Sequence, residues 1–569
     1  MRSNRAGRGV ARGICITATL VLIAALQALS NAPASAAPTT APPAAPVGPG
    51  RAFAATEAAY ATQPVEWFEC DPSLDRPDFE CAFVLVPKDW DRPAVGEFTM
   101  LISRVAASDP SSRHGVLLLN QGGPGAEGWD LPYYASQVDP QIAAVDDMVG
   151  FDPRGVGYSS ALECADPSLQ AAKVTLEAND PSPRDLLRAV QLTSQWAQQC
   201  SSYPDTRYVN SYQTVRDMDL IRALLGEAKI SYSGESAGTY LGAWYATTFP
   251  NRTDRFLLDA NEDWTAPWWE IFPAYHRGFQ RAFDDAFVPW LAGGDATYHL
   301  GTTPAQVRAT IAARRAALVE HPVTLPDGTI IDAFSYDSGI NALLYRTLVY
   351  PYLGGALSAV ERLDTATADE LALAVYFFGY QPPLSFGHGG DPTVAIRCQD
   401  TRWPSAPSTV ATWLISRVRY PLTGKYGPAE CPFWATPPTG SPITGRGMPP
   451  MLMIQNTGDP ATPYDGGLRA HRKTPGSRLL TVVDEYSHAA FNLMGNACVD
   501  SIGRDWLING RLPRRDVSCQ ANPLPDYEIP LLPAAAAAPA GQSPETRPLE
   551  RPALKLDPDR VARFRPATR

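Results

Sequence analysis

The sequence Gly-Glu-Ser-Ala-Gly at residues 234–238 constrains the fold of this chain more than any other feature. It follows a β-prone segment, residues 229–233, and it opens a segment with helical composition, residues 239–244. A serine in this setting lies at the tip of a strained turn, where glycines let the neighbouring strand and helix approach closely. The motif predicts that Ser236 is a nucleophile. The alternative is a glycine-rich turn that contains a buried serine.

Short apolar segments on both sides of this motif predict a sheet. The candidate strands are residues 116–120, 148–152, 229–233, 255–259, 451–455 and 479–483. Helical patterns separate them; one of these, residues 218–225, stops at Gly226. Continuous apolar strands that alternate with helices indicate a mostly parallel sheet covered by helices on both faces.

A serine nucleophile needs a base, and the base needs an acid that orients it. His488 comes just after the candidate strand 479–483, and Asp459 comes just after the candidate strand 451–455. Polar groups at the carboxyl ends of parallel strands face ligands, so we expect Ser236, Asp459 and His488 to form a catalytic triad. Three residues are weaker alternatives for the base and the acid: His471, Asp465 and Asp484.

A glycine loop, residues 120–125 (Asn-Gln-Gly-Gly-Pro-Gly), follows another candidate strand. Attack on an acyl carbon creates an oxyanion, which backbone N–H groups must already face. We assign these donors to the region of Gly122 and Gly123 and to Ala237, the residue after the nucleophile. The alternative for the glycines is an ordinary tight turn.

The chain order serine, acid, histidine is typical of the α/β-hydrolase fold, a mostly parallel central sheet flanked by helices. Residues 261–448 interrupt the strand series, are rich in aromatic residues and proline, and contain helical patches. We expect them to form a large, mainly helical cap. The core would then comprise residues 63–260 and 449–521.

The two ends of the chain differ in composition from the rest. Residues 1–36 combine four arginines, an apolar stretch and an Ala-Ser-Ala cleavage site, which predicts a secretory signal peptide. The apolar stretch is shorter than the roughly 20 residues of a membrane span, so we expect cleavage rather than an uncleaved anchor. We interpret residues 37–62 as an Ala/Pro-rich flexible lead-in and residues 522–569 as a loosely ordered Pro/Ala-rich tail.

The cysteine count agrees with export to an extracellular or cell-surface location. Apart from Cys15 in the signal segment, eight cysteines remain, an even number that predicts up to four disulfide bonds. They are Cys70, Cys81, Cys164, Cys200, Cys398, Cys431, Cys498 and Cys519. Of the roughly 105 possible connectivities, we favour sequential pairing, because closing short loops costs the least entropy. A cysteine metal site is disfavoured, since no Cys-x-x-Cys pair occurs.

Net charge excludes one class of function. The formal charge is −11, and there is no long basic run outside the N-terminus, so we expect no nucleic-acid partner.

Several motifs in order resemble the tripeptidyl aminopeptidase family of actinomycete exported serine exopeptidases, relatives of the proline iminopeptidases. They are residues 122–125 (GGPG), 152–159 (DPRGVGYS), 239–242 (TYLG) and 458–463 (GDPATP), with Cys398 before Asp400 and Cys431 before Trp434. The resemblance covers about residues 65–520. It implies an exported enzyme that releases short peptides from free N-termini, uses the triad Ser236, Asp459 and His488, and needs no metal or cofactor. We expect a monomer whose partner is its peptide substrate.

Two departures keep other functions open. The family's elbow usually has Tyr after the nucleophile, where this chain has Ala237. Glu235 makes the motif G-E-S-A-G, which is similar to that of type-B carboxylesterases, although their triad glutamate and early E-D-C-L segment are missing at the matching places. The alternative function is a secreted carboxylesterase or lipase-like serine hydrolase. A hydrolase-like fold kept as a secreted binding protein is a further alternative.

An aminopeptidase must hold a protonated α-amine, and an ammonium that leaves water needs a paired anion. Glu262, Asp263 and Glu270 follow the candidate strand that ends at Asp259, and we interpret them as candidates for this anchor. The alternative is that they are solvated loop acids. Three tryptophans in the same segment would line the pocket or belong to the core: Trp264, Trp268 and Trp269.

Overall fold

A computed structural model describes residues 51–529 apart from residues 72, 73, 75, 179–181, 380–389 and 426–429. The predicted signal peptide, residues 37–50 of the predicted lead-in, and the predicted tail beyond residue 529 lie outside the described residues.

A ten-stranded sheet forms the centre of the protein. The sheet consists of β1 Phe68–Glu69, β2 Phe79–Pro87, β3 Glu97–Val105, β4 Gly115–Asn120, β5 Asp146–Phe151, β6 Ile230–Glu235, β7 Thr253–Asp259, β10 Met451–Asn456, β11 Ser477–Val483 and β12 Val517–Gln520; two further strands, β8 Val323–Thr324 and β9 Ile330–Ile331, lie outside it. Their order in the sheet is β1-β2-β3-β5-β4-β6-β7-β10-β11-β12, while β8 and β9 pair with each other. Pairing is antiparallel from β1 to β5 and parallel from β5 to β12.

Helices connect these strands and cover the sheet. The core helices are α1 Arg51–Tyr60, α2 Leu131–Val138, α3 Pro140–Val145, α4 Pro167–Ala178, α5 Pro183–Ser202, α6 Ser211–Leu224, α7 Ala237–Thr248, α17 Tyr464–Lys473 and α18 Ala497–Asn509. Alternate residues of β4 belong to different clusters: Val116 and Leu118 pack with α7, and Leu117 and Leu119 pack with α18. Both faces of the sheet are therefore buried, as in the α/β-hydrolase fold.

The segment between β7 and β10 is mainly helical. It contains α8 Trp268–Arg281, α9 Val288–Gly293, α10 Asp295–Tyr298, α11 Pro304–Glu320, α12 Ala333–Leu343, α13 Tyr350–Glu361, α14 Ala368–Phe378, α15 Asp391–Asp400 and α16 Ala406–Arg419, with a π-helical stretch at Ala282–Phe287. Its aromatic residues, such as Phe287 and Tyr350, form a hydrophobic cluster of their own. The composition of this segment thus reflects a second core above the sheet. The exact boundaries of this cap stay a prediction.

The structure differs from the sequence prediction near both ends. Helix α1 lies inside the segment that we expected to be flexible. Its Phe53 is buried against Trp90 and Phe249, with ring centroids 5.2 and 5.4 Å away, and this packing fixes the helix on the core. Glu57 adds an ion pair with Arg222 at 2.7 Å. At the other end, Tyr527 packs on Trp290 of the cap, with 5.4 Å between the ring centroids.

Four disulfide bonds join the eight cysteines in sequential order, at sequence separations from 11 to 36 residues. The pairs are Cys70–Cys81, Cys164–Cys200, Cys398–Cys431 and Cys498–Cys519. In the part of the chain that the structure describes, no helix has the length and apolar character that crossing a membrane requires.

Candidate active site

Ser236 occupies a strained turn between β6 and α7. Its φ is +54° and its ψ is −128°, a conformation that costs free energy in a residue with a side chain. Neighbouring glycines make the turn possible: a Cβ on Gly238 would lie 2.6 Å from the carbonyl oxygen of Asn120, and one on Gly234 would lie 2.4 Å from the Tyr232 ring. The turn therefore presents Ser236 at the carboxyl end of β6, as a nucleophile elbow requires.

Asp459 and His488 form a hydrogen-bonded pair. His488 Nδ1 lies 2.9 Å from Asp459 Oδ1 and 3.1 Å from Oδ2. The Asp459 carboxylate is fully buried and also accepts from the Ala461 and Thr462 amides, at 2.9 and 2.8 Å, and from the Thr462 hydroxyl at 3.0 Å. An acceptor-only carboxylate at Nδ1 keeps a proton on that nitrogen and leaves Nε2 free to accept one.

The charges around His488 favour its protonated form. Burial, the largest single effect, lowers the pKa of the imidazole, but the Asp459 carboxylate with Glu235 and Glu262 together outweigh it and raise the pKa above its ordinary value. Glu235 directly precedes Ser236, so its interaction with His488 links the elbow to the histidine. Burial raises the pKa of Glu235, and the positive charges of Arg346 and His488 oppose that shift.

The glycine loop after β4 lies against the elbow. A Cβ on Gly122 would be 2.6 Å from the Glu235 carbonyl oxygen and 2.7 Å from the Ala237 amide nitrogen. The Gly122 amide donates to Asn120 Oδ1 at 3.0 Å, so it is already engaged. The amides of Gly123 and Ala237 donate to no acceptor among the described residues. These two N–H groups are therefore the better candidates for oxyanion donors.

Two strand-end side chains that the sequence analysis did not single out hold the loop of His488. Asp259 Oδ2 accepts from the Ala490 amide at 2.8 Å and from the next amide at 2.7 Å. Asn456 Nδ2 donates to the carbonyls of Ser487 and Ala489 at 2.8 and 3.0 Å. Their position at the ends of β7 and β10 is a signal that could have identified them, because the carboxyl edge of a parallel sheet carries its functional groups.

The cap also contacts the histidine. The His488 amide donates to the Tyr345 carbonyl at 2.6 Å, and the two rings lie edge to face with 5.5 Å between centroids. Tyr345 is in turn 3.3 Å from Tyr275, measured between the hydroxyl oxygens. The segment between β7 and β10 therefore contacts His488 directly.

The three acids predicted as amine anchors line one cavity of about 440 Å³. They differ in how their charges are balanced. Asp263 pairs with Arg469 at 2.7 Å and accepts from the Thr265 hydroxyl at 2.5 Å. Glu270 is exposed in the first turn of α8. Glu262 is buried, and its carboxylate accepts no hydrogen bond from the residues that the structure describes.

The charges of Asp459 and His488 act on Glu262. Burial raises its pKa to about 8; the positive charges of His488 and Arg397 lower it, while the negative charges of Asp459 and Asp263 raise it. A buried carboxyl of this kind gains a large stabilisation when a cation binds beside it, because the ionised form then has a partner. Of the three acids, Glu262 fits an anchor best. Trp264 and Trp268 are buried in the core, whereas Trp269 is 37% exposed.

The alternative acids and base are engaged elsewhere. His471 lies 2.7 Å from Ser477 Oγ and 3.0 Å from Asp516. Asp465 pairs with Arg277 and Arg469. Asp484 accepts from Gln520 at 2.9 Å. None of these contacts involves His488 or the elbow.

The motif at residues 152–159 is held in place by hydrogen bonds to buried side chains. Asp152 is fully buried and accepts from the Gly128 and Tyr158 amides at 2.9 and 3.0 Å. Arg154, also fully buried, forms two hydrogen bonds with Asp217, of 2.6 and 2.7 Å. These contacts tie the loop after β5 to helix α6, so the motif has a structural role.

Two family models match the chain. The model described as alpha/beta hydrolase fold matches residues 115–348, and the model described as TAP-like protein matches residues 422–519.

Named relatives match over most of their length. The chain is 31% identical to the tripeptidyl aminopeptidase of Streptomyces lividans over 84% of this chain and 90% of that protein. It is 29% identical to the serine protease Hip1 of Mycobacterium tuberculosis, covering 80% and 91%. It is 31% identical to the carboxylesterase B of Mycobacterium tuberculosis, covering 77% and 86%.

Solved structures are more distant. A proline iminopeptidase-related protein from Thermus thermophilus is 12% identical, with a TM-score of 0.31 and coverage of 75% of this chain and 98% of that one.

The identity and the coverage of the Streptomyces enzyme, together with the two family models, establish the relationship. The protein belongs to the tripeptidyl aminopeptidase family of the α/β-hydrolases.

Proposed function

We propose that this chain is an exported serine exopeptidase that hydrolyses peptide bonds near free N-termini through Ser236, His488 and Asp459. The observation that carries this proposal is the buried Glu262 carboxylate, which accepts no hydrogen bond from the described residues and lines a cavity together with Thr462, a hydrogen-bond partner of Asp459. The names of two relatives, a tripeptidyl aminopeptidase and a serine protease, support it.

The mechanism follows from the groups at the carboxyl edge of the sheet. Ser236 Oγ attacks the scissile carbonyl carbon while His488 Nε2 takes the hydroxyl proton. The tetrahedral intermediate collapses as His488 returns that proton to the leaving amine, which leaves an acyl group on Ser236. A water molecule, deprotonated by His488, then attacks the acyl carbon. The ester bond to Ser236 breaks, which releases the N-terminal peptide as a free acid, and His488 returns the proton to the serine. Asp459 holds the imidazole in the required tautomer and stabilises its positive charge.

The oxyanion of each intermediate is stabilised by the amides of Gly123 and Ala237. Both amides have no other acceptor among the described residues. Gly122 acts indirectly, since its lack of a side chain lets the loop lie against the elbow. Donors that are already in place need no reorganisation when charge develops, which makes them effective in a water-poor site.

Glu262 binds the α-ammonium of the substrate. Its raised pKa reflects the free energy of burying a carboxylate without a partner, and an arriving ammonium supplies that partner. Asp263 is satisfied by Arg469, and Glu270 is exposed, so neither needs a ligand to balance its charge.

A carboxylesterase is the second candidate. One relative at 31% identity carries that name, and the G-E-S-A-G elbow is similar to that of type-B carboxylesterases. An esterase needs no amine anchor, so the buried Glu262 favours the peptidase.

We further infer that the enzyme is secreted or held at the cell surface, and that it acts as a monomer. The predicted signal peptide and the four disulfide bonds support export, because such bonds persist in oxidising compartments.

Replacing the nucleophile tests the proposal directly. In Ser236→Ala we expect the turnover of tripeptidyl amides with free N-termini to fall by at least about 10³-fold, because no acyl-enzyme can form. Circular dichroism and thermal unfolding should match the unmodified protein. Acetylated tripeptidyl amides and p-nitrophenyl esters serve as comparison substrates. Amide turnover that survives in the variant, or ester turnover with no amide cleavage in the unmodified enzyme, contradicts the proposal.

The glycine loop predicts a second loss of activity. Gly122→Ala places a methyl group 2.6 Å from the Glu235 carbonyl oxygen and moves the loop away from the elbow. We expect kcat to fall by about 10²-fold or more, the scale of removing one oxyanion donor. In the control Gly476→Ala, the new Cβ meets its nearest atom at an ordinary 3.4 Å, so activity should be kept. Equal activity of the two variants would argue against the loop's role.

The anchor predicts a charge-specific effect. In Glu262→Gln we expect kcat/KM for free-amine peptides to fall by about 10- to 100-fold, the scale of a charge-assisted hydrogen bond, with acetylated peptides unaffected. In the unmodified enzyme, KM for free-amine peptides should rise as the pH falls below about 8, because the protonated carboxyl cannot pair with an ammonium. The variant should lose this dependence. Glu270→Gln, in the same cavity, is the matched control; an equal loss there would reject Glu262 as the anchor.

A further inference from the structure

Helix α15 holds the tip of the glycine loop with one hydrogen bond. The loop's own bonds, such as that from the Ala126 amide to the Gly122 carbonyl at 3.1 Å, restrain its two ends. Among the residues that the structure describes, the backbone of residues 123–125 has a single hydrogen-bond partner: the Thr393 hydroxyl, which donates to the Pro124 carbonyl at 2.6 Å. Thr393 is 8% exposed, so water competes little for this carbonyl.

A loop of this composition needs an outside contact to keep its shape. Gly123 and Gly125 flank Pro124, and both have a positive φ, of +105° and +84°. Glycine adopts many backbone conformations, so these residues restrain the direction of an amide only weakly by themselves. The ring of Pro124 fixes its own φ. A contact that holds the Pro124 carbonyl therefore limits the rotation of the neighbouring peptide groups, including the one that carries the Gly123 amide, the proposed oxyanion donor.

The first turn of α15 lies directly against the loop. A Cβ on Gly125 would lie 3.3 Å from the Thr393 amide nitrogen and 3.4 Å from both Pro392 Cβ and Thr393 Oγ1. The backbone of the loop and the helix are thus in contact around the hydrogen bond. Thr393 therefore holds the loop at a place where the two segments fit closely.

Helix α15 is itself fixed to the core at both ends. At its start, Asp391 accepts from the Cys164 amide at 2.6 Å and from the Trp196 indole at 2.9 Å. At its end, Asp400 accepts from the Ser211 amide at 2.9 Å and from the Ser211 hydroxyl at 2.6 Å. A donor on a helix that is held at both ends keeps its acceptor in one place, because the donor itself does not move.

We propose that Thr393 is a positioning residue for the oxyanion hole: its hydroxyl holds the Pro124 carbonyl so that the Gly123 amide faces the tetrahedral intermediate. This inference rests on the proposed function through the role of Gly123, and it is the same for a peptide and for an ester substrate. In this role Thr393 touches neither the substrate nor the reacting atoms. Its loss should reduce the stabilisation of the transition state and leave substrate binding nearly unchanged.

Replacing the hydroxyl tests this role. In Thr393→Val we expect kcat for tripeptidyl amides to fall by about 10- to 100-fold, the scale of a displaced catalytic group, with little change in KM. Thr393→Ser keeps the hydroxyl and should retain most of kcat. The matched control is Thr193→Val, because Thr193 is fully buried on α5 and its hydroxyl donates to the Ala189 carbonyl at 2.8 Å. The same chemical change there should leave kcat unaffected.

The rate of labelling by a fluorophosphonate gives a readout that needs no substrate. Negative charge develops on the phosphonyl oxygen as Ser236 attacks, so labelling should slow in Thr393→Val and recover in Thr393→Ser. Unchanged kcat and labelling in Thr393→Val overturn the inference, as does an equal loss in Thr393→Ser or a change in KM alone. If Thr393→Val does not fold, Thr393→Ala replaces it, and rates equal to those of Thr393→Ser overturn the inference.

The labelling experiment also separates this inference from the proposed function. If the unmodified enzyme is labelled on Ser236 but cleaves no tripeptidyl amide, the proposed peptidase is wrong, and the labelling rates of the Thr393 variants still decide the positioning role. If Ser236 is not labelled at all, both are overturned.

Discussion

The close approach of three backbone segments at the carboxyl edge of the sheet is the constraint on which the rest of this site depends. The elbow at Ser236, the loop at Gly122 and the end of β4 lie so near one another that a Cβ on Gly122 or Gly238 would be within 2.8 Å of backbone atoms. This packing holds Ser236 at its positive φ. The close packing of the glycine loop and the end of β4 against the elbow therefore offsets the conformational strain at Ser236.

The cap is coupled to Asp459 and His488, the proposed acid and base, by equally close contacts. A Cβ on Gly278 of α8 would lie 2.1 Å from the carbonyl oxygen of Pro460, the residue after Asp459. Arg277 of the same helix pairs with Asp465 of α17 at 2.8 Å. Together with the hydrogen bond from the His488 amide to the Tyr345 carbonyl, these contacts make the positions of Asp459 and His488 depend on the cap. Changes in cap helices that touch no substrate should therefore alter catalysis.

Sequence patterns predicted what depends on local order: the strand ends, the strained turn at Ser236 and the pairing of the cysteines. The roles of Asp459 and His488 stay predictions, although their side chains lie 2.9 Å apart. They did not predict what depends on distant segments meeting. Asp259 and Asn456 hold the histidine loop from the ends of two other strands. The helix at Arg51–Tyr60 was missed for the same reason. Its alanine-rich composition is typical of a flexible segment, and the sequence does not show that Phe53 packs against the distant Trp90.

The central claim is that Ser236 is a nucleophile activated by His488. Its most direct test is to label the full chain with a fluorophosphonate and to map the adduct by peptide mass spectrometry. We predict one adduct per chain, on Ser236, and little labelling in His488→Ala, because the neutral hydroxyl is a weak nucleophile without its base. An adduct on another residue, or undiminished labelling of Ser236 in that variant, would contradict the account.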